Sequence, residues 1–137
     1  MNKEFCTYEQ AVVLKELGYY GLEFGQWWED KDDGEKFLFT GDDMSEEHDQ
    51  HDIRYICEAP LKQQVFRWFR EKYNILGTIY SNASGYLFEW HDAIGGTQRG
   101  CSEYEGPNDS GCWDSYEETE DACIDKLIEL VKTQTNE

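Results

Sequence analysis

Between residues 59 and 75, in APLKQQVFRWFREKYNI, apolar side chains return at helical spacing. At about 100° per residue, Leu61, Val65, Phe66, Trp68, Phe69 and Tyr73 share one broad arc, while Gln63, Arg67, Arg70 and Asn74 share the opposite face. The pattern predicts an amphipathic helix over 60–73. Pro60 suits its first position, where a missing N–H costs nothing and the fixed φ is already helical, and its ring pushes Ala59 out of the α region. The aromatic residues of the apolar arc read as core, the alternative being a ligand-stacking role.

The remaining pattern supplies the other elements. Thr7 with Gln10 forms a capping box for a helix over 8–17, with Ala11, Leu14 and Leu17 as buried candidates and Gly18 as the stop. Residues 19–28 and 36–40 are strand-like, and Asp32-Asp33-Gly34 between them is turn chemistry, which predicts a hairpin. Residues 53–57 alternate as a third strand. Residues 76–80 and 86–90 read as a second hairpin closed by a turn over 81–85. The region 91–113 holds Gly95, Gly96, Gly100, Gly106 and Gly111 and reads as a long loop or as a distorted edge strand around 98–104. Ser115 with Glu118 starts a last helix, which Ala122, Cys123, Leu127, Leu130 and Val131 mark as running to about Lys132. Glu117, Glu118, Glu120 and Asp121 sit in its first turns, where the helix dipole favours them. The order implies one α+β domain over 1–137: a mostly antiparallel sheet of about five strands with N-terminal, central and C-terminal helices packed on it.

Charge changes what this fold is expected to meet. Against 12 Lys plus Arg the chain carries 30 Asp plus Glu, a formal net charge of -18, which disfavours direct nucleic-acid binding and suits a basic partner. The acids cluster. Residues 29–52 hold 11 acids and two lysines, net -9, and residues 103–121 hold eight acids with no Lys or Arg. Residues 53–72 reverse the sign: Arg54, Lys62, Arg67, Arg70 and Lys72 stand against Glu58 and Glu71, net +3. That basic run either neutralises the acidic stretches or marks the side that meets phosphate. No apolar run approaches the roughly 18 residues needed to span a bilayer, and MNKEFCTYEQ has no signal-like apolar stretch, so a soluble, intracellular protein without membrane contact is expected. Cys6, Cys57, Cys101, Cys112 and Cys123 are odd in number and include no C-x-x-C pair, as expected of reduced thiols.

Candidate chemistry is sparse. Aligning DKDDGE with a calcium loop puts Lys31 at a ligand position and Thr40 where the bidentate Glu belongs, so no calcium site is expected. His48 and His51, three apart among carboxylates, would meet a divalent metal only on a helical turn, and solvated side chains are the simpler reading. Gly95-Gly96-Thr97-Gln98-Arg99-Gly100 follows a strand ending in Trp90-His91. Its glycines let backbone N–H groups approach an anion, Thr97 adds a hydroxyl, and Arg99 can hold phosphate bidentately. It lacks the spacing of a P-loop, and a plain glycine-rich loop is the competing reading. Trp27, Trp28, Trp90 and Trp113 lie near strand ends or loops, where a ring would either pack or stack on a base. His91 beside Asp92 is the only local acid–base pair, with no nucleophile placed beside it, so neither enzyme activity nor a cofactor is expected. The expected ligand set is Gly96, Thr97 and Arg99 with Trp27, Trp90, Arg67 and Arg70.

Three blocks carry a resemblance: Thr7-Tyr8-Glu9-Gln10-Ala11 with Leu14-Lys15-Glu16-Leu17-Gly18, Ala59-Pro60-Leu61 with Trp68-Phe69-Arg70-Glu71, and Tyr116-Glu117-Glu118 with Cys123-Ile124-Asp125-Lys126-Leu127. In these the chain resembles small proteins encoded by phages and prophages of Bacteroides-type bacteria. The matching residues are mostly caps and core, and the resemblance carries over no catalytic residue. It implies a phage accessory protein of counter-defence type in the bacterial host cytoplasm. Two functions are then expected: sequestration of a small phosphorylated or nucleotide-derived ligand, or inhibition of a basic host protein by an acidic surface imitating nucleic acid. A virion component is a third, and a homo-oligomer stays open.

Overall fold

A computed structural model describes residues 4–19, 25–39, 53–92, 99–102 and 105–135. Among them are helices α1 (Tyr8–Glu16), α2 (Lys62–Tyr73) and α3 (Tyr116–Thr135), and strands β1 (Gln26–Asp30), β2 (Lys36–Phe39), β3 (Ile53–Glu58), β4 (Ile75–Asn82), β5 (Gly85–Asp92) and β6 (Arg99–Cys101). The α+β class is as expected. The sheet is not: in place of one sheet of about five strands there are two antiparallel sheets of three, ordered β2-β1-β3 and β4-β5-β6. The chain forms two compact units, Met1–Leu61 and Lys62–Glu137, each holding one sheet. The acidic loop with His48 and His51, and the loop positions Gly96 and Thr97, lie outside the described residues.

In the first unit the capping box forms as read. Thr7 Oγ1 accepts from the Gln10 N–H at 3.1 Å, and Gln10 Oε1 accepts from the Thr7 N–H at 3.0 Å. At the other end Gly18 takes φ 91°, Tyr19 N–H reaches the Leu14 carbonyl and Gly18 N–H that of Lys15, a Schellman closure. Tyr19 therefore belongs to this cap, and β1 begins at Gln26 rather than at residue 19. Asp30 organises the hairpin turn, its carboxylate accepting from Asp32 N–H at 2.9 Å and its carbonyl from Gly34 N–H at 2.8 Å, with Gly34 at φ 76°. β3 pairs with the far edge of β1, with a bulge between Trp27 and Trp28: Trp27 faces Cys57, but Trp28 faces Tyr55, leaving Ile56 as the extra residue. The Ile56 carbonyl accepts from Lys15 Nζ at 3.3 Å.

The helix expected to start at Pro60 starts two residues later, at Lys62. Residues 59–61 are held extended by their own backbone bonds. Ala59 N–H donates to the Gly25 carbonyl, the Pro60 carbonyl accepts from Cys6 N–H at 2.9 Å, and Leu61 bridges Phe5. α2 buries Lys62, Val65 and Phe69, leaves Phe66, Trp68 and Tyr73 half-buried, and ends on Asn74, which takes φ 58° and returns its N–H to the Arg70 carbonyl.

In the second unit β4 and β5 run the full length of the hairpin, and the expected turn over 81–85 shrinks to Ala83 and Ser84. Gly77 on β4 is where both helices reach the sheet. A Cβ there would lie 2.9 Å from Cys123 Sγ, 3.2 Å from Leu127 Cδ1 and 3.2 Å from Phe66 Cε1. α3 seals this face with Thr119, Cys123, Leu127 and Val131 in one row and Glu120, Ile124 and Ile128 in the next, all buried. Ala122 and Leu130 are half-buried.

Candidate functional site

Five of the seven expected ligand residues lie among the described residues. Gly96 and Thr97 fall outside them, and Trp27 stands in the first unit, whereas Arg67, Arg70, Trp90 and Arg99 stand in the second. β6 does bring two of them to adjacent rungs. Arg99 pairs with His91 in register, and the neighbouring rung sets Gly100 against Trp90, so close that a Cβ on Gly100 would be 3.0 Å from the indole and the ring would have to give by a few tenths of an ångström. His91 and Asp92 are consecutive on β5, so their side chains leave opposite faces of the sheet and the local acid–base pair is divided.

The basic run of residues 53–72 resolves into separate jobs. Arg54 and Lys36 both bind Glu29, Lys36 at 3.2 Å, and these cations, Lys36 first, hold the Glu29 carboxyl below its usual range. Lys62 is buried and meets Asp121 at 3.1 Å, also donating to the Glu117 carbonyl at 3.3 Å. Arg67 bonds Glu71 one turn on at 2.9 Å, raising its own pKa and lowering that of Glu71. Lys72 lies over the rings of Trp68 at 5.1 Å and Tyr73 at 5.4 Å. Arg54, Lys62 and Arg67 thus meet carboxylates of the chain, while Lys72 lies over aromatic rings.

The acids of α3 behave differently. Burial raises the pKa of Glu120, against the pull of Lys62, and burial likewise raises that of Asp121 although Lys62 bonds it. Burial also pushes the Cys123 thiol up to about 12, which keeps it protonated and unreactive. Among the described residues no group of three or more His, Cys, Asp or Glu is arranged to hold a metal ion. Among the same residues no helix is long and apolar enough to cross a membrane.

The glycine-rich region, read as a long loop or a distorted edge strand around 98–104, holds the edge strand β6 at 99–101 and a closed structure over 105–114. Gly106 N–H donates to the Gly111 carbonyl and Asn108 N–H to that of Cys112, while Gly106 passes so close to Cys112 that a Cβ would lie 2.3 Å from its carbonyl carbon. Asn108 Oδ1 accepts from Ser110 and Cys112 N–H groups, and its Nδ2 donates to the Ser84 carbonyl at 3.1 Å and to Asp114 at 3.2 Å. Trp113 exchanges two backbone bonds with Tyr86. This scaffold leaves Glu105, Asp109, Asp114 and Glu118 exposed along a stretch that contains no Lys or Arg.

Sequence reasoning missed an aromatic group on the other sheet. Trp28 and Tyr55 meet edge to face, centroids 5.5 Å apart at 75°, on the face of β1 that also carries Gln26. Trp28 Nε1 donates to Gln26 Oε1 at 3.1 Å, and Tyr55 Oη donates to Glu58 Oε1 at 3.0 Å. Tyr55 is 43% exposed. A signal existed in the spacing of Tyr55 and Glu58, but three positions apart on a regular strand would send them to opposite faces, and only the bulge at Ile56 unites them. Trp27, by contrast, packs edge-on to Tyr8 at 5.9 Å with its Nε1 buried and without a hydrogen-bond partner among the described residues. In comparisons with known proteins, no family model, no curated protein and no solved structure matches the chain.

Proposed function

We propose that the chain is a non-enzymatic binding protein whose acidic surface engages a basic partner, in the manner of a nucleic-acid mimic. The observation that carries this reading is the division of labour among its charges. Arg54, Lys36, Lys62, Arg67 and Lys72 are engaged with acids or rings of the chain itself, while Glu105, Asp109, Asp114 and Glu118 stand exposed on a hydrogen-bonded scaffold. Surplus negative charge held in place steers a basic surface toward it and weakens as salt screens the field. The resemblance to phage and prophage proteins supplies the setting, a counter-defence accessory protein acting in the bacterial host cytoplasm on a basic host protein that handles nucleic acid.

The test is retention of host proteins on the immobilised chain, followed by assay of each retained protein for nucleic-acid binding. Retention should collapse as the Debye length falls from about 10 Å to about 3 Å between roughly 0.1 and 1 M salt, and the chain should displace nucleic acid from its partner. Partners held equally at both salt concentrations, or still able to bind nucleic acid, would sink the reading.

A second reading is sequestration of a small phosphorylated ligand, for which β6 brings Arg99 to the edge of the second sheet beside β5. Thermal shift against a nucleotide panel tests it. Absence of stabilisation at concentrations far above any useful Kd would remove it.

A further inference from the structure

We propose that Trp28, Tyr55 and Glu58 form a recognition corner for an arginine side chain of a basic protein partner. The proposal rests on the acidic-surface reading and adds to it a specific point of contact, in the first unit rather than on the acidic stretch of the second.

The corner is fixed by its own bonds. Trp28 donates to Gln26, Gln26 Nε2 donates to Glu58 Oε1 at 3.5 Å, and Tyr55 donates to the same oxygen at 3.0 Å. Two rings at 75° make two walls, and Glu58 places a carboxylate at their rim. The bulge that brings Glu58 onto this face is the kind of irregularity that re-aims a side chain. An organic cation fits such walls because aromatic faces are electronegative. Arginine fits best: its planar guanidinium is weakly hydrated, stacks on rings, and offers forked N–H donors to a carboxylate.

The same chain shows what corners of this shape hold. Trp68 and Tyr73 meet at 5.4 Å and 82°, and Lys72 lies over both. Tyr8 and Trp27 meet at 5.9 Å and 73°, and Lys36 lies 5.6 Å over Tyr8. The Trp28–Tyr55 corner has matching geometry, an exposed Tyr55 and a carboxylate at its edge.

The experiment titrates fluorescent octa-arginine amide into the full chain at low salt and compares Glu58→Gln with Glu16→Gln. Each removes one negative charge. Glu58→Gln keeps an acceptor for Tyr55, and Glu16 is exposed at the end of α1. Affinity should fall about tenfold for Glu58→Gln, since hydrogen bonds to charged groups contribute on that scale. It should fall less than about twofold for Glu16→Gln, as for any exposed charge. On the wild-type chain, N-acetylarginine amide should shift the Trp28 Nε1–H resonance and leave that of Trp68 unmoved, a readout that no folding defect can imitate. Equal losses in the two variants with an unmoved Trp28 signal overturn the corner and leave the acidic-surface reading standing. Octa-lysine binding as tightly, with the same dependence on Glu58, overturns the choice of arginine. No octa-arginine binding at low salt overturns both the corner and the reading beneath it.

Discussion

Helix α2 carries two ion pairs five residues apart that differ in nearly every physical respect. Lys62 has a side chain 2% exposed and meets Asp121 of α3 at 3.1 Å, whereas Arg67 meets Glu71 of its own helix with side chains 71% and 59% exposed. Removing charges from water is costly and is repaid only by close partners, so the buried pair exists because α3 supplies both a carboxylate and the Glu117 carbonyl. The exposed pair is screened by solvent and has little to hold together. Lys62 and Arg67 belong to one basic run yet not to one basic surface. A positive stretch of sequence can be part core and part solvated face, and helical position decides which.

The sharpest way to test this difference is to remove each cation. Lys62→Ala leaves Asp121 and Glu120 near one another without their cation, and should lower stability by about 3–5 kcal/mol in urea unfolding. The double change Lys62→Met with Asp121→Leu removes the charge problem along with the pair. It should recover most of that loss, since apolar replacements of buried pairs are often neutral or stabilising. If the double variant were as unstable as Lys62→Ala, the pair would be holding α2 to α3 by more than its charge.

Space, not charge, limits the neighbouring contact. Gly77→Val would drive a branched side chain into Cys123, Leu127 and Phe66, and overpacking of this kind should cost about 1–3 kcal/mol by the same urea measurement. A smaller effect is expected at Glu120. Its pKa and that of Asp121 are raised, so the folded chain keeps protons that the unfolded chain has released. Stability therefore falls as pH rises from their ordinary values, 4.5 and 3.8, through the raised ones. Glu120→Gln should gain about 1 kcal/mol at neutral pH, with the gap closing below about pH 4 in melts run across pH. A gap that instead widened in acid would mean that Glu120 is stabilising as a carboxylate.

What could be read from the sequence follows the range of the interactions involved. Local chemistry was legible: Thr7 with Gln10, Gly18, and Asp32-Asp33-Gly34 each act within a few residues and appear where expected. Helix α2 was legible along its apolar arc but not at its start, because the hydrogen bonds that hold residues 59 and 60 extended come from Cys6 and Gly25, far away in the chain. The division into two sheets was not legible, since strand patterning says which residues pair with water and not which strand lies alongside. The surroundings of the tryptophans were not legible either. Trp27 and Trp28 look alike in sequence, yet strand alternation sends Trp27 to Tyr8 and Trp28 to Tyr55, and one extra residue at Ile56 adds Glu58 to the face of Tyr55.

The smallest effect belongs to the exposed half of the comparison, and it is informative because it should be almost nothing. Arg67→Ala removes the partner that holds Glu71 below its ordinary carboxylate range, so the Glu71 carboxyl should titrate at higher pH in the variant, visible by NMR. The unfolding midpoint should stay within error of wild type, because a solvent-screened pair one turn apart contributes little beyond what water already offers each group. The two readouts separate the electrical effect from the energetic one. If the midpoint fell along with the pKa change, Arg67 would be holding more than Glu71, and the wet face of α2 would count as part of the structure rather than its surface.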